Sequence, residues 1–429
     1  MKRQICTVFG LLCLLLGLSV HAQSKAFIGG RVIPINGPEI DNGVVVVRDG
    51  RIEAVGSAGS VAIPEQAERI ELQSNQVIMP GLVDTHSHVG EVAGADRSGP
   101  MQPEVRALDS INVRSSGLRR ALAGGITTVN VMPGSGHLIS GQTIYLKLRE
   151  ANTINDLLFV EEDGWIAGGI KLANGTNPMR DAPFPGTRAK SAALVRQLLI
   201  QAQEYRERRA SEQPGARDLG LDALVEVLEG RRIVHFHSHR HDDLMTVLRL
   251  REEFGFRVVL HHTSEAYKVA EEIAAANVPV SMIMIDSPGG KLEALNLLPK
   301  NAPALEQAGA STAFHTDDWV TDSRHFLRMA ALGVRAGMSR QAALEALTIR
   351  GAEMMDLAER VGSLEVGKDA DLVILSGDPF SVYSRVEQTW VEGVKRFDLE
   401  RDEDRLIAEG GFGALDETDL AGHSHEGGH

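Results

Sequence analysis

Cysteine is almost missing from this sequence. Of 429 residues, Cys6 and Cys13 are the only two cysteines, and both lie within the first 22. With that segment cut away, no disulfide framework can form and no thiolate can act as ligand or nucleophile. Long hydrophobic runs are also scarce. The strongest, residues 8–20, follows Lys2 and Arg3 and precedes Ala22. It falls short of the ~20 apolar residues that a spanning helix needs. Its layout is that of a secretory signal peptide, which we assign to residues 1–22. No cysteine stands just after the run to carry a lipid, so the expectation is an exported, periplasmic protein without a stable membrane anchor. Positive charge is the third shortage: 44 Lys and Arg face 58 Asp and Glu, a formal net charge of −14. That balance disfavours nucleic acid and anionic membrane as partners. It says little about a small molecule held in a local cleft, and the oligomeric state is left open.

What the chain does have is enough apolar content, 43%, to bury a large core. Residues 26–79 are short apolar runs broken by Asn36-Gly37, Asn42-Gly43 and Asp49-Gly50, pairs that favour tight hairpins. From 80 to 360 the character changes to alternating strand and helix patterns. Helices are predicted over 104–123, 191–212, 242–254, 265–276 and 340–355. Strands are predicted over 126–131, 233–239, 257–262, 278–282 and 311–317. Such alternation predicts a parallel α/β fold, and its length suits a (β/α)8 TIM-like barrel better than a smaller doubly wound sheet. Residues 361–400 return to short strands and Gly turns, so the two chain ends are expected to pair into one β domain beside the barrel. Residues 401–429, acidic, Gly-rich and ending HSHEGGH, read as a mobile tail.

Chemistry concentrates where apolar strands finish, which is where a parallel barrel carries its site. The run PGLVDTHSHVG, 80–90, places Asp84, His86 and His88 on one strand face. Two imidazoles side by side on a rigid strand can bind one metal ion. IVHFHSH presents His235, His237 and His239 on one face; RVVLHH ends in His261 and His262, of which alternation lets one enter a shared interior. STAFHTDD ends in His315 and Asp317, and Lys171 closes the apolar stretch Gly169-Ile170. A single strand-end histidine is more often structural than a ligand. Several strand ends carrying His or Asp are hard to explain as independent accidents, and they point to a metal site.

The motifs MPGLVDTHSHVG, GITTVNV, IKLANGTNP, VHFHSH, LHHTSEAYK, FHTDD and RVGSLEVGKDADLVIL together resemble the series of the amidohydrolase superfamily. They are similar to those of its imidazolonepropionase-like and prolidase-like exported members. The resemblance implies a metal-dependent barrel, 80–360, flanked by a small β-sandwich made from 26–79 and 361–400. It also implies His86, His88, His237, His262 and Asp317 as metal ligands, with Lys171 as a carboxylated lysine bridging two metals. His239 is an alternative at the fifth strand, and His315 could contact a ligand residue or the substrate. The implied cofactor is a divalent metal, zinc first, as one or two ions. The implied reaction is hydrolysis of an amide or cyclic C–N bond by a metal-activated hydroxide, with Asp317 as general base and then acid. Dipeptides, N-acyl amino acids and cyclic amides are the candidate substrates. A reading from another class is a periplasmic metal- or ligand-binding protein on a decayed hydrolase scaffold. Specificity is expected in the loops 91–102, 174–186 and 286–301, and Arg180 and Arg188 are candidates to hold a substrate carboxylate.

Overall fold

The computed structural model describes residues 24–92, 96, 98–285, 291–318 and 320–410. The signal peptide assigned to 1–22 lies outside these residues, as does 411–429 of the tail. Seven short strands come first: β1 (Ser24–Ile28), β2 (Arg31–Val32), β3 (Ile40–Asp41), β4 (Gly43–Arg48), β5 (Arg51–Ser57), β6 (Glu68–Glu71) and β7 (Val77–Pro80). Nine belong to the central region: β8 (Leu82–Ser87), β9 (Ile126–Val131), β10 (Ile139–Gln142), β11 (Ile144–Lys147), β12 (Ile170–Ala173), β13 (Val234–Ser238), β14 (Val258–His262), β15 (Val280–Met282) and β16 (Thr312–Phe314). Three close the chain: β17 (Leu372–Leu375), β18 (Val386–Val391) and β19 (Val394–Asp398).

The two chain ends do pair. One sheet runs β19-β18-β17-β7-β2-β3, and β7 lies antiparallel to β17 with Leu372 opposite Pro80. A second sheet, β5-β4-β1-β6, shares an apolar core with it through Phe27, Val45, Ile52, Ile78, Ile374 and Trp390. From this β domain β7 passes through Gly81 into β8. A Cβ on Gly81 would stand 2.2 Å from Thr127 Oγ1, so the close approach of β8 to β9 requires glycine there.

The central strands form two sheets among the described residues, β11-β9-β8 and β10-β12-β13-β14-β15-β16, not one closed ring of ladders. Nor are they all parallel: β10 runs antiparallel to β12, and β11 antiparallel to β9. The free edges of β8 and β16 meet through single bonds instead. The Asp317 N–H donates to the His86 carbonyl at 2.9 Å, and Thr316 binds Asp84 through its N–H at 3.1 Å and its Oγ1 at 2.5 Å.

Three predicted segments differ from the structure for identifiable reasons. Over 104–123 the α-helix is confined to Ser116–Ala123, because the Gln142 N–H donating to the Val105 carbonyl at 2.7 Å holds the backbone extended at Arg106, and only a short 3-10 turn, Ala107–Asp109, lies between. The helix predicted over 340–355 breaks into Arg340–Ala346 and Ile349–Glu353, since the Leu347 carbonyl accepts from Val83 of β8 at 2.9 Å. Residues 402–409, expected to be mobile, form the helix Asp402–Glu409. Asp404 accepts from the Asp398 N–H at 2.9 Å, and Ile407 is buried. Among the described residues no helix is long and apolar enough to cross a membrane.

Candidate metal centre

β8 leaves the β domain fully buried, apolar at Leu82 and Val83 and polar from Asp84 onward, where it enters the centre. Asp84 does not join the metal-ligating groups. Its carboxylate accepts from the backbone N–H groups of His86 and Thr316 at 3.1 Å each and from the Thr316 hydroxyl, tying the ends of β8 and β16 together. Burial pushes that carboxyl up to about 7 against those bonds. The backbone then turns left-handed at Asp317, φ 49°, and carries its carboxylate back over β8.

His86 and His88 converge on that carboxylate. Asp317 Oδ1 lies 3.0 Å from His88 Nε2 and 3.3 Å from His86 Nε2. On its other nitrogen His88 can only donate, because Nδ1 faces the Met132 carbonyl at 2.7 Å. Nε2 then meets Asp317 as lone pair against lone pair unless a cation stands between them, either a proton or a metal ion. Burial alone would raise the Asp317 carboxyl; the bond and charge of His88, with His315 and Lys171, outweigh it and bring it down to about 2. The side chains of His88 and Asp317 are 13% and 18% exposed, so this is the solvent-facing end of an otherwise buried group.

The neighbouring strands complete the cluster. Lys171 of β12 is fully buried, with Nζ 3.1 Å from His86 Nε2 and 3.2 Å from Met132 Sδ. Burial pushes its amine down to about 7. His262 of β14 places Nδ1 3.8 Å from Asp317 Oδ2 and 3.2 Å from His315 Nε2. His315 is fixed on its other side by Ser281 Oγ at 2.7 Å, itself 2.6 Å from Thr85 Oγ1. The ring of His237, on β13, lies 4.3 Å from that of His262. Burial first, then neighbouring Lys and His groups, hold His86, His237 and His262 far below the usual imidazole range, so each offers a neutral ring. His237 Nδ1 and His262 Nε2 are buried with no hydrogen-bond partner.

The sequence pattern of the amidohydrolase family matches residues 77–398 of this chain. This chain belongs to the amidohydrolase family. An amidohydrolase from Thermotoga maritima MSB8 superposes with a TM-score of 0.80 at 31% identity, covering 87% of this chain and 100% of that one. Amidohydrolase tasK of Hapsidospora irregularis is 26% identical over 394 residues, 83% of this chain, and this chain spans 40% of its length. An imidazolonepropionase from Fusobacterium nucleatum is 22% identical over 393 residues, 80% of this chain and 87% of that protein. Homologues of this family are hydrolases of carbon–nitrogen bonds, and this amidohydrolase is an enzyme of that class.

Of the six predicted ligand positions, His86, His88 and Asp317 have donor atoms within 4.8 Å of one another, Lys171 lies against His86 and His262 beside Asp317, and His237 lies against His262 while its donor atoms group with His239 and Glu293. Strand alternation misled at His261. It was expected to point away from the interior if His262 entered, yet their rings lie 5.0 and 4.8 Å from that of His86. The cause is the left-handed backbone at His262, φ 67°, and Thr263, φ 51°, which ends the alternation there. His261 in turn holds His235 at 2.9 Å, and His235 meets the Tyr145 hydroxyl at 2.9 Å, a buried layer beneath the centre. Sequence reasoning missed Lys291 and Glu293. They sit in a loop flagged for specificity, and nothing in its pattern separates them from solvated charges.

Proposed function

We propose that this amidohydrolase hydrolyses an amide or cyclic C–N bond of a small substrate at a divalent metal centre held by His86, His88, His237, His262 and Asp317. The observation that carries this reading is the convergence of His86 and His88 on the Asp317 carboxylate beside two buried imidazole nitrogens, His237 Nδ1 and His262 Nε2, that have no hydrogen-bond partner. Neutral imidazoles and an ionised carboxylate suit zinc. His88 also has the carbonyl partner that orients a ligating imidazole. A divalent ion bound there would lower the pKa of a water molecule toward neutrality and polarise the scissile carbonyl. Asp317, ionised at neutral pH, takes the proton of the attacking water and returns it to the leaving nitrogen. No side chain forms a covalent bond to the substrate.

Lys171 is read as the site of a carbamate that carries a second ion, supported by its burial against His86 and an amine neutral enough to react with carbon dioxide. We read the central strands as one interrupted (β/α)8 barrel and the two outer sheets as a sandwich. The bonds joining β8 to β16 and the shared core around Phe27 and Trp390 favour that reading. The first 22 residues favour export.

The test is metal analysis and turnover of the reconstituted protein beside Asp317→Asn. The expected result is one or two zinc ions per chain, hydrolysis of N-acyl amino acids, dipeptides or cyclic amides, and a kcat lower by about 10²–10⁴ in the variant. A reconstituted protein that takes up no metal and turns over none of these substrates would overturn the reading in favour of a binding protein, and a variant with unaltered turnover would overturn the role given to Asp317.

A further inference from the structure

Lys291 reaches the site from the loop after β15. Its Nζ donates to Asn177 Oδ1 at 2.6 Å and stands 3.3 Å from Glu293 Oε1 and 3.4 Å from His237 Nε2. An ammonium has three N–H groups. Two are directed at Asn177 and Glu293, and the third faces His237. That 3.4 Å contact is at the long limit of a hydrogen bond, so the third N–H is the one held least by the protein. His239 adds a third polar group. Ser264 Oγ holds its Nδ1 at 2.7 Å, its Nε2 is buried without a partner, and its ring lies 4.7 Å from that of His237.

Donor atoms of His237, His239 and Glu293 lie within 4.8 Å of one another, a spacing that could hold a cation. The ammonium of Lys291 already stands between Glu293 and His237 and repels another cation. An ammonium with one weakly held N–H, beside the unpartnered Nε2 of His239, calls instead for an anionic acceptor. The arginines expected to supply such recognition are committed elsewhere. Arg188 pairs with Asp243 at 2.9 Å and Glu293 at 3.4 Å, and Arg180 donates to the Gly136 carbonyl at 2.8 Å while lying over the Phe184 ring.

We propose that Lys291, with His237 and His239 beside it, binds a free carboxylate of the substrate. This amidohydrolase then acts on N-acyl amino acids or dipeptides in preference to neutral amides, an inference that rests on the hydrolase reading above. A lysine suits a carboxylate that must leave with the product, because its ammonium can return to Asn177 and Glu293 when the site empties.

The experiment compares N-acetyl-L-amino acids and Gly-X dipeptides with their C-terminal carboxamides on the zinc-reconstituted protein. The acids are expected to be preferred in kcat/KM. Lys291→Met should lower the acid-to-carboxamide ratio about ten- to hundred-fold, with KM carrying the loss, and Lys291→Arg should restore most of it. Equal use of acids and carboxamides by the unaltered enzyme, or a ratio unchanged in Lys291→Met, overturns the proposal. Calorimetric binding of the same pairs to Asp317→Asn holoenzyme separates this from the question of turnover. Tighter binding of the acids, lost in the double variant with Lys291→Met, supports the carboxylate site even if neither class is hydrolysed, a result that would sink only the amide reading. Equal binding of acid and carboxamide overturns the site even if both are hydrolysed.

Discussion

Replacing Lys147 by methionine tests how the β domain is fastened to the strands that carry the site. Lys147, the last residue of β11, is fully buried; its ammonium contacts Asp369, lies 3.0 Å from Asp371 and 3.7 Å from Glu392, all from the closing segment of the chain. Both aspartate side chains are 3% exposed. Methionine keeps most of the stem's packing and removes the charge. Asp369 retains Arg360 at 2.9 Å and Arg51 at 3.4 Å, whereas Asp371 keeps only the Glu392 N–H at 2.9 Å among the contacts described. The loss therefore falls on Asp371, whose carboxyl burial already pushes up against the pull of Lys147. Breaking a buried ion pair costs about 3–5 kcal/mol. Protonation caps that figure, because neutralising a carboxyl of ordinary pKa costs about 4 kcal/mol at pH 7 and about 1.5 kcal/mol at pH 5.

The sign follows from linkage. In the variant the folded-state pKa of Asp371, already raised by burial, rises further above its unfolded value, so the folded form takes up the proton more readily and the deficit shrinks as pH falls from 7 to 5. Asp369, held below its usual range by Lys147 and Arg360 despite burial, contributes in the opposite sense in the unaltered protein. That contribution is present above the unfolded pKa and lost as pH falls through the folded one. Urea unfolding followed by tryptophan fluorescence should show a deficit of about 3–4 kcal/mol at pH 7 and about 1.5 kcal/mol at pH 5. A deficit below about 1 kcal/mol at pH 7, or one equal at both pH values, would refute the reasoning.

Two further outcomes bear on the site. Because the Lys171 amine is pushed down to about 7, its neutral fraction should grow from about a tenth at pH 6 to about nine tenths at pH 8. Bicarbonate-dependent zinc uptake by the apoprotein should accelerate in step, and Lys171→Met should abolish the dependence; uptake indifferent to bicarbonate in both proteins removes Lys171 from the centre. Gly124→Ala would place a Cβ 2.1 Å from the Ser323 carbonyl oxygen, so thermal unfolding should report a loss of about 1–3 kcal/mol. Ser323 also donates to Asp318 at 2.9 Å through its backbone N–H, beside Asp317, so metal affinity should fall with stability. A variant as stable as the unaltered protein would show that the Ser323 segment yields freely.

By itself the sequence determined which strands end in chemistry. Period-two alternation in PGLVDTHSHVG and VHFHSH and the apolar runs before Lys171 and Asp317 are local properties, and they put the expected ligands on or just beyond strands, with Lys171 inside β12 and Asp317 three residues past β16. The pair Asp49-Gly50 is likewise a local signal and joins the antiparallel strands β4 and β5, whereas at Asn42-Gly43 the chain passes from one sheet to the other. What only the tertiary structure decided are matters of approach between distant segments. The capture of the Leu347 carbonyl by β8 breaks a helix whose local pattern is continuous. Left-handed backbone at His262 and Asp317 turns side chains where alternation would not send them, and Asp84 and Thr316 hold the second of these turns across 232 residues of sequence. Lys291 carries no local sign of its role, because a lysine in a polar loop looks the same whether solvent or a buried histidine faces it. The partners around its ammonium make the difference, and they come together only when β13, β15 and their loops are folded together.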